Sequence, residues 1–159
     1  MTHQSSKTPP LLDADEQPPY VHYNPDGQSG VVLVCDHARN ATPRSLAGLG
    51  LCSEILSTHI GLDIGCEHLS KKIADNLDSV LLIAGFSRLV VDLNRPPDHP
   101  TSIPVQSDGI DVPGNHSLSA QDRQQRIDEI FTPYHNAVAA ELKQAFEHHQ
   151  RVALISMHS

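Results

Sequence analysis

The apolar run Val31-Val-Leu-Val-Cys35 ends abruptly on Asp36 and His37, and the run Val152-Ala-Leu-Ile-Ser-Met157 ends the same way on His158. Short apolar runs without alternation are the mark of strands buried on both faces, because helices cover a parallel sheet above and below. Two of them constrain the chain to an α/β fold with a mostly parallel, mixed sheet. In open sheets of that kind, ligands bind beyond the carboxyl ends of the strands. Each run delivers a histidine to that edge.

The 159 residues suffice for one ordinary domain. At 38% hydrophobic and 19% charged, the composition suits a globular chain and not a disordered one. A formal net charge of −8 argues against nucleic acid or an anionic membrane as partner, since both require a basic surface. The apolar runs are far shorter than a membrane span, and the N-terminus lacks a charged-then-apolar signal pattern. Cys35, Cys52 and Cys66 form no CxxC pair, and an odd count suits reduced thiols in a cytoplasm. They read as small hydrophobes.

Residues 1–29 scatter Pro9, Pro10, Pro18, Pro19 and Pro25 among polar residues without a period, and are expected to be a flexible leader. The rest, 30–159, is expected to alternate strand and helix in the order βαββαβ. Ile55, Leu56, Ile60, Asp63, Ile64, Leu69 and Ile73 recur at three- and four-residue steps and predict one helix over 53–77. Strands are predicted at Ser79–Ala84, at Arg88–Asp92 and over 152–157. From Asn94 to Leu118 come seven prolines or glycines and no period, a loop long enough to be functional. Ser119 with Asp122 makes a capping-box start to the clearest helix, which Pro133 should kink or split in two.

A catalytic zinc takes three protein ligands and leaves a position open. His37 and His158 supply two, and His59 and Asp63, spaced i and i+4, are candidates for the third. Asp63 is preferred, because one carboxylate with two imidazoles leaves the metal enough charge to acidify water. Asp36, facing the other side of its strand, ranks lower. The same groups could instead be hydrogen-bonded polar residues at strand ends. Arg95 and Arg88 could hold a carboxylate or an oxyanion, or make surface ion pairs. His135 reads first as a packing residue and second as a proton shuttle. The remaining histidines, including His3, read as solvated.

Seven blocks in order carry a resemblance. They are Cys35-Asp-His37-Ala-Arg-Asn40-Ala-Thr-Pro43, His59-Ile-Gly-Leu-Asp63-Ile-Gly65, Ser87-Arg88-Leu-Val-Val-Asp-Leu-Asn94-Arg95-Pro96, Ser107-Asp108-Gly109, Pro113-Gly-Asn115, Pro133-Tyr-His135 and Ile155-Ser-Met-His158-Ser159. Together they resemble the N-formylglutamate amidohydrolase family, which belongs with the zinc carboxypeptidase-like amidohydrolases. The resemblance implies a three-layer α/β/α sandwich and hydrolysis of N-formyl-L-glutamate to formate and glutamate. It makes His37, Asp63 and His158 zinc ligands, Arg95 the transition-state arginine and Arg88 a substrate contact. It extends candidacy to His135 as a catalytic residue and to Asn40, Asn94 and Asp108 as substrate contacts. The partner is a small acylated amino acid, and the location cytoplasmic; the oligomeric state stays open. Arg39 stands where relatives often carry a small residue. Family members continue past the His-Ser pair into further strands and the glutamate expected as general base, so 30–159 reads as the N-terminal portion of the family domain. A zinc-binding remnant without turnover, and an amidohydrolase for another acylated amino acid or peptide, are the alternatives.

Overall fold

Residues 9–159 are described in the computed structural model; the first eight, with His3, lie outside the described residues. In chain order the elements are β1 (Tyr20–Tyr23), β2 (Val31–Cys35), the short α1 (Ser53–Leu56), α2 (Cys66–Leu77) and β3 (Val80–Ala84). They continue with the two-residue strands β4 (Gln106–Ser107) and β5 (Ile110–Asp111), then α3 (Ala120–Arg126), α4 (Thr132–His148) and β6 (Ala153–Ser156). The main sheet runs β1-β3-β2-β6, with β2 parallel to both β3 and β6 and β1 antiparallel to β3.

The strand pleat sorts the apolar residues into two cores. Leu33, Cys35, Leu81 and Ile83 face α2 through Cys66 and Ala74. Val34, Leu82 and Ala84 face α4 through Tyr134, Ala137 and Val138. The result is the three-layer α/β/α arrangement with a mostly parallel mixed sheet that the apolar runs predict. Edge strand β6 differs from β2: all four of its residues are exposed, and Leu154 and Ile155 stand out as apolar surface. Among the described residues no helix is long and apolar enough to cross a membrane.

Three expectations need correction. The segment read as a leader contributes β1 to the sheet, and Leu11 is buried in the α4-side core. Glu129 fastens it: its two carboxylate oxygens accept the backbone N–H groups of Leu11 and Leu12 at 2.9 and 3.0 Å. Where this segment crosses the end of β3, a Cβ on Gly85 would lie 2.2 Å from the Pro18 carbonyl, so only glycine admits the crossing. Second, the single helix expected over 53–77 is two helices separated by a turn, because Gly61 and Gly65 break it. Gly61 has no room for a Cβ, which would sit 2.1 Å from the Leu56 carbonyl, and Gly65 adopts φ of 78°.

Third, Arg88–Asp92 is not a strand, although Leu89, Val90 and Val91 are buried. Its backbone groups find partners outside any ladder. Leu89 and Val90 carbonyls accept from the Asn115 and Arg126 side chains, and the Asp92 N–H donates to the Ser102 carbonyl. A short apolar run does not distinguish a strand from a segment wrapped by side chains. The split expected at Pro133 forms just before it, where Thr132 and Pro133 open α4 after a separate α3. A π turn over Ile127–Phe131 joins α3 to α4 with helical dihedrals on both sides. The Ser119–Asp122 capping box forms as predicted, while Phe146 near the end of α4 is exposed.

The long loop is ordered by a buried pair. Arg126, 1% exposed, donates to the Asn115 side-chain oxygen at 2.7 Å and to the Val90 and Gly114 carbonyls. Asn115 in turn donates to the Leu89 and Pro104 carbonyls. Burial pulls the Arg126 guanidinium down to about 10, still charged at neutral pH. Arg126→Ala would leave two buried acceptors and the half-buried Gly114 carbonyl unpaired, with a cavity, and is expected to cost about 3 kcal/mol or more. Urea titration of the purified variant measures this; a loss below about 1 kcal/mol contradicts the anchoring.

Candidate metal centre and substrate pocket

Three chain segments converge at the carboxyl end of the sheet. The end of β2 sends Asp36 toward α4 and carries His37 beyond it. The end of β6 brings Ser156 and His158. The turn before α2 brings Asp63, held by its backbone N–H donating to the His37 carbonyl at 2.8 Å. Gly61, pressed against Leu56, lets the turn come that close. Asp63 therefore reaches the site from a loop, not from a helix face shared with His59.

His37, Asp63 and His158 each offer a ligand atom within 4.8 Å of the others. His158 Nδ1 lies 2.8 Å and His37 Nδ1 3.5 Å from the same oxygen, Asp63 Oδ2. The two rings are 5.0 Å apart. His37 Nε2 is 2.8 Å from Asp92 Oδ1. A carboxylate only accepts, so Nε2 holds the proton and Nδ1 of the neutral ring is left with a bare lone pair. That nitrogen is fully buried and has no hydrogen-bond partner. An orphaned lone pair facing a carboxylate and a second imidazole is what a bound cation satisfies, and the donor set fits zinc.

The charge balance points the same way. Asp36, Asp63 and Asp92 are all buried here. Arg88 answers two of them, at 3.0 Å from Asp92 Oδ2 and 3.8 Å from Asp63 Oδ1. Burial would raise the Asp92 carboxyl, but the His37 hydrogen bond, with the Asn94 N–H and Arg88 charge, holds it below the usual carboxylate range. A divalent cation would offset the remaining negative charge.

Outside this cluster lies a cavity of about 240 Å³, lined by Arg88, Asp92, Arg95, Thr101, Gln106 and Asp108 among others. Arg95 is half exposed, and its guanidinium stands 3.9 Å from Asp92. Asp108 lies at the turn of the β4–β5 hairpin and pairs with His59 at 3.0 Å. Asn94 approaches His158, 3.5 Å from side chain to ring. Asn40 bonds Ser57 at an exposed position outside the cluster. His135 also stands apart from the trio, with Nε2 at 2.9 Å from the Leu93 carbonyl and its ring against Phe131. Arg39 makes a two-pronged pair with Glu67 at 3.1 and 3.2 Å.

Two acids at the site gain a place that the spacing argument does not give them. Asp92 ends a buried apolar segment and partners His37. Asp36 accepts from Tyr134 at 2.5 Å and from Ser156 at 2.8 Å. The signal available for both was an acid closing an apolar run, the pattern that drew attention to the histidines. Cys35 and Cys66 are buried as expected, while Cys52 is exposed.

The comparisons with known proteins agree with this fold. A solved structure of a gene product from Agrobacterium tumefaciens superposes with a TM-score of 0.89 at 30% identity, covering 93% of this chain and 59% of its own. An N-formylglutamate amidohydrolase from Ralstonia eutropha has a TM-score of 0.64 at 22% identity, covering 87% of this chain and 55% of its own, and supports the fold alone. The chain thus spans under two thirds of either structure's length. No curated protein matches it. The model of the N-formylglutamate amidohydrolase family matches residues 29–159, and the chain belongs to that family.

Proposed function

We propose that the chain carries the metal-binding and substrate-anchoring part of a zinc-dependent amidohydrolase that releases an acyl group, formyl foremost, from an acidic amino acid. The observation that carries this reading is the buried, unpartnered Nδ1 of His37 facing Asp63 and His158. Two arginines stand beside it. His37, Asp63 and His158 would hold the ion. Zinc there supplies Lewis-acid charge for an acyl carbonyl and lowers the pKa of water. The cavity supports the substrate class: N-formyl-L-glutamate is a dicarboxylate, and Arg88 and Arg95 both line the wall, beside Asp92 and Asp108.

The sequence reading gave Arg95 the oxyanion and Arg88 the substrate carboxylate. The distances support exchanging them. Arg88 reaches within 3.8 Å of Asp63 Oδ1, on the carboxylate whose other oxygen faces the two imidazoles, close to where charge would develop on an acyl oxygen. Arg95 lines the outer cavity half exposed, where a planar fork can take a carboxylate bidentately. One observation favours a second reading, metal binding without turnover: among the described residues no glutamate joins the cluster to take a proton from water. Formate release from N-formyl-L-glutamate with zinc present separates the two.

Metal analysis after dialysis against zinc should find the ion in the wild-type chain and little in Asp63→Ala or His37→Ala. Folded wild-type protein that retains none overturns the metal reading. In a version that turns over, Arg88→Lys should lower kcat about 10²-fold or more, the cost of one lost transition-state donor. Arg95→Lys should act mainly by raising KM. The reverse pattern restores the original assignment, and turnover of N-acetyl or N-succinyl amino acids in preference to N-formyl ones changes the acyl group.

A further inference from the structure

The second ligand histidine is held by a different device from the first. His37 meets its carboxylate directly, whereas His158 Nε2 is 2.9 Å from the Ser156 hydroxyl and 3.6 Å from Asp36 Oδ2. Ser156 donates to Asp36 Oδ2 at 2.8 Å, and Tyr134 donates to Asp36 Oδ1 at 2.5 Å. The protons in this chain can be counted. Asp36 as a carboxylate only accepts, so it takes the Tyr134 proton on one oxygen and the Ser156 proton on the other. The Ser156 hydroxyl has one proton and has given it away. Toward His158 it can then only accept, so Nε2 keeps its proton when a cation displaces the one Nδ1 shares with Asp63 Oδ2 at 2.8 Å.

We propose that Tyr134, Asp36 and Ser156 form a positioning relay that fixes His158 with its proton on Nε2 and so presents Nδ1 as a metal ligand. The proposal rests on the metal reading above and deepens it. The relay begins in helix α4, crosses the sheet end at β2 and reaches the ligand through β6, so three elements that are distant in sequence determine one ring orientation. Burial, and then the Asp36 charge, push the Tyr134 hydroxyl well above its ordinary range, which keeps it a donor. Asp36, buried at 6% exposure, is thereby satisfied on both oxygens. The arrangement supplies to His158 what Asp92 supplies to His37, with a hydroxyl inserted between. Outer partners of this kind fix the tautomer and ring orientation of metal ligands, and their loss costs 10- to 100-fold in metal affinity.

The test uses the intact chain and zinc as the probe. Chelator competition should show Ser156→Ala and Asp36→Asn binding zinc roughly 10- to 100-fold more weakly than wild type. Ser156→Thr, which keeps the hydroxyl, should restore wild-type affinity. Ser156 is exposed on edge strand β6, so its truncation spares the core if Asp36→Asn should unfold the protein. A second readout is independent of affinity and of turnover. In the zinc-loaded protein, nitrogen-15 imidazole spectra should show a slowly exchanging His158 Nε2–H that Ser156→Ala loses. Wild-type protein that takes up no zinc overturns the metal reading and the relay with it. Zinc bound equally by wild type and all variants, or a His158 ring ligating through Nε2, overturns the relay and leaves the metal reading standing.

Discussion

The bond between His37 Nε2 and Asp92 Oδ1 is the contact on which the site depends. Both groups are buried, and a buried carboxylate with nothing to accept from is among the costliest features a fold can carry. Here it is answered four ways: His37, the Asn94 N–H, Arg88 and, farther off, Arg95. Each answer fixes something else. The His37 proton is committed to Nε2, which turns Nδ1 toward Asp63. The Asn94 bond sets the backbone just before Arg95. The Arg88 bond extends a guanidinium between Asp92 and Asp63. One acid therefore orients His37 and both arginines at once.

This explains why the segment around Asp92 is irregular. A strand would spend the Asp92 and Leu93 backbone groups on a neighbouring strand. Instead the Asp92 N–H goes to Ser102 and the Leu93 carbonyl to His135, so the chain can turn and bring Asp92, Asn94 and Arg95 to the same edge. The apolar side chains Leu89, Val90 and Val91 remain buried throughout, because the α4-side core accepts them without a ladder. Burial and strand pairing are separate requirements, and this segment meets only the first.

That separation also marks what was legible in the sequence. The unbroken apolar runs of β2 and β3 dictate a two-sided sheet, and the strand ends carry the histidines to one edge. Both follow from hydrophobicity alone. Asp63 was reached through a helix that does not exist: Gly61 and Gly65 interrupt it, and the residue arrives by loop closure onto His37. It still comes to the strand end, because any compact route from β2 to α2 must cross there. Asp92 and Asp36 were less legible, since a carboxylate that supports a ligand has no spacing rule and is defined only by what it meets in space. The β1 strand escaped notice because its partner, β3, lies far along the chain and its own residues carry no buried pattern.

The division of labour between rigid and exposed parts follows from the same contacts. The loop after Asn94 is pinned at its far end by Arg126 and Asn115 and at its near end by Asp92 and Ser102, all buried. Between these anchors the chain rises into the β4–β5 hairpin, where Gln106 and Asp108 line the outer cavity and are solvent-accessible. Side chains at that rim can change without disturbing a buried hydrogen bond, whereas any change at the anchors exposes unpaired carbonyls in the core. The fold therefore makes the buried cluster of His37, Asp63 and Asp92 costly to alter and the hairpin wall of the cavity cheap to alter. If substrate selection varies among chains with this framework, the hairpin rim is where physical chemistry permits it.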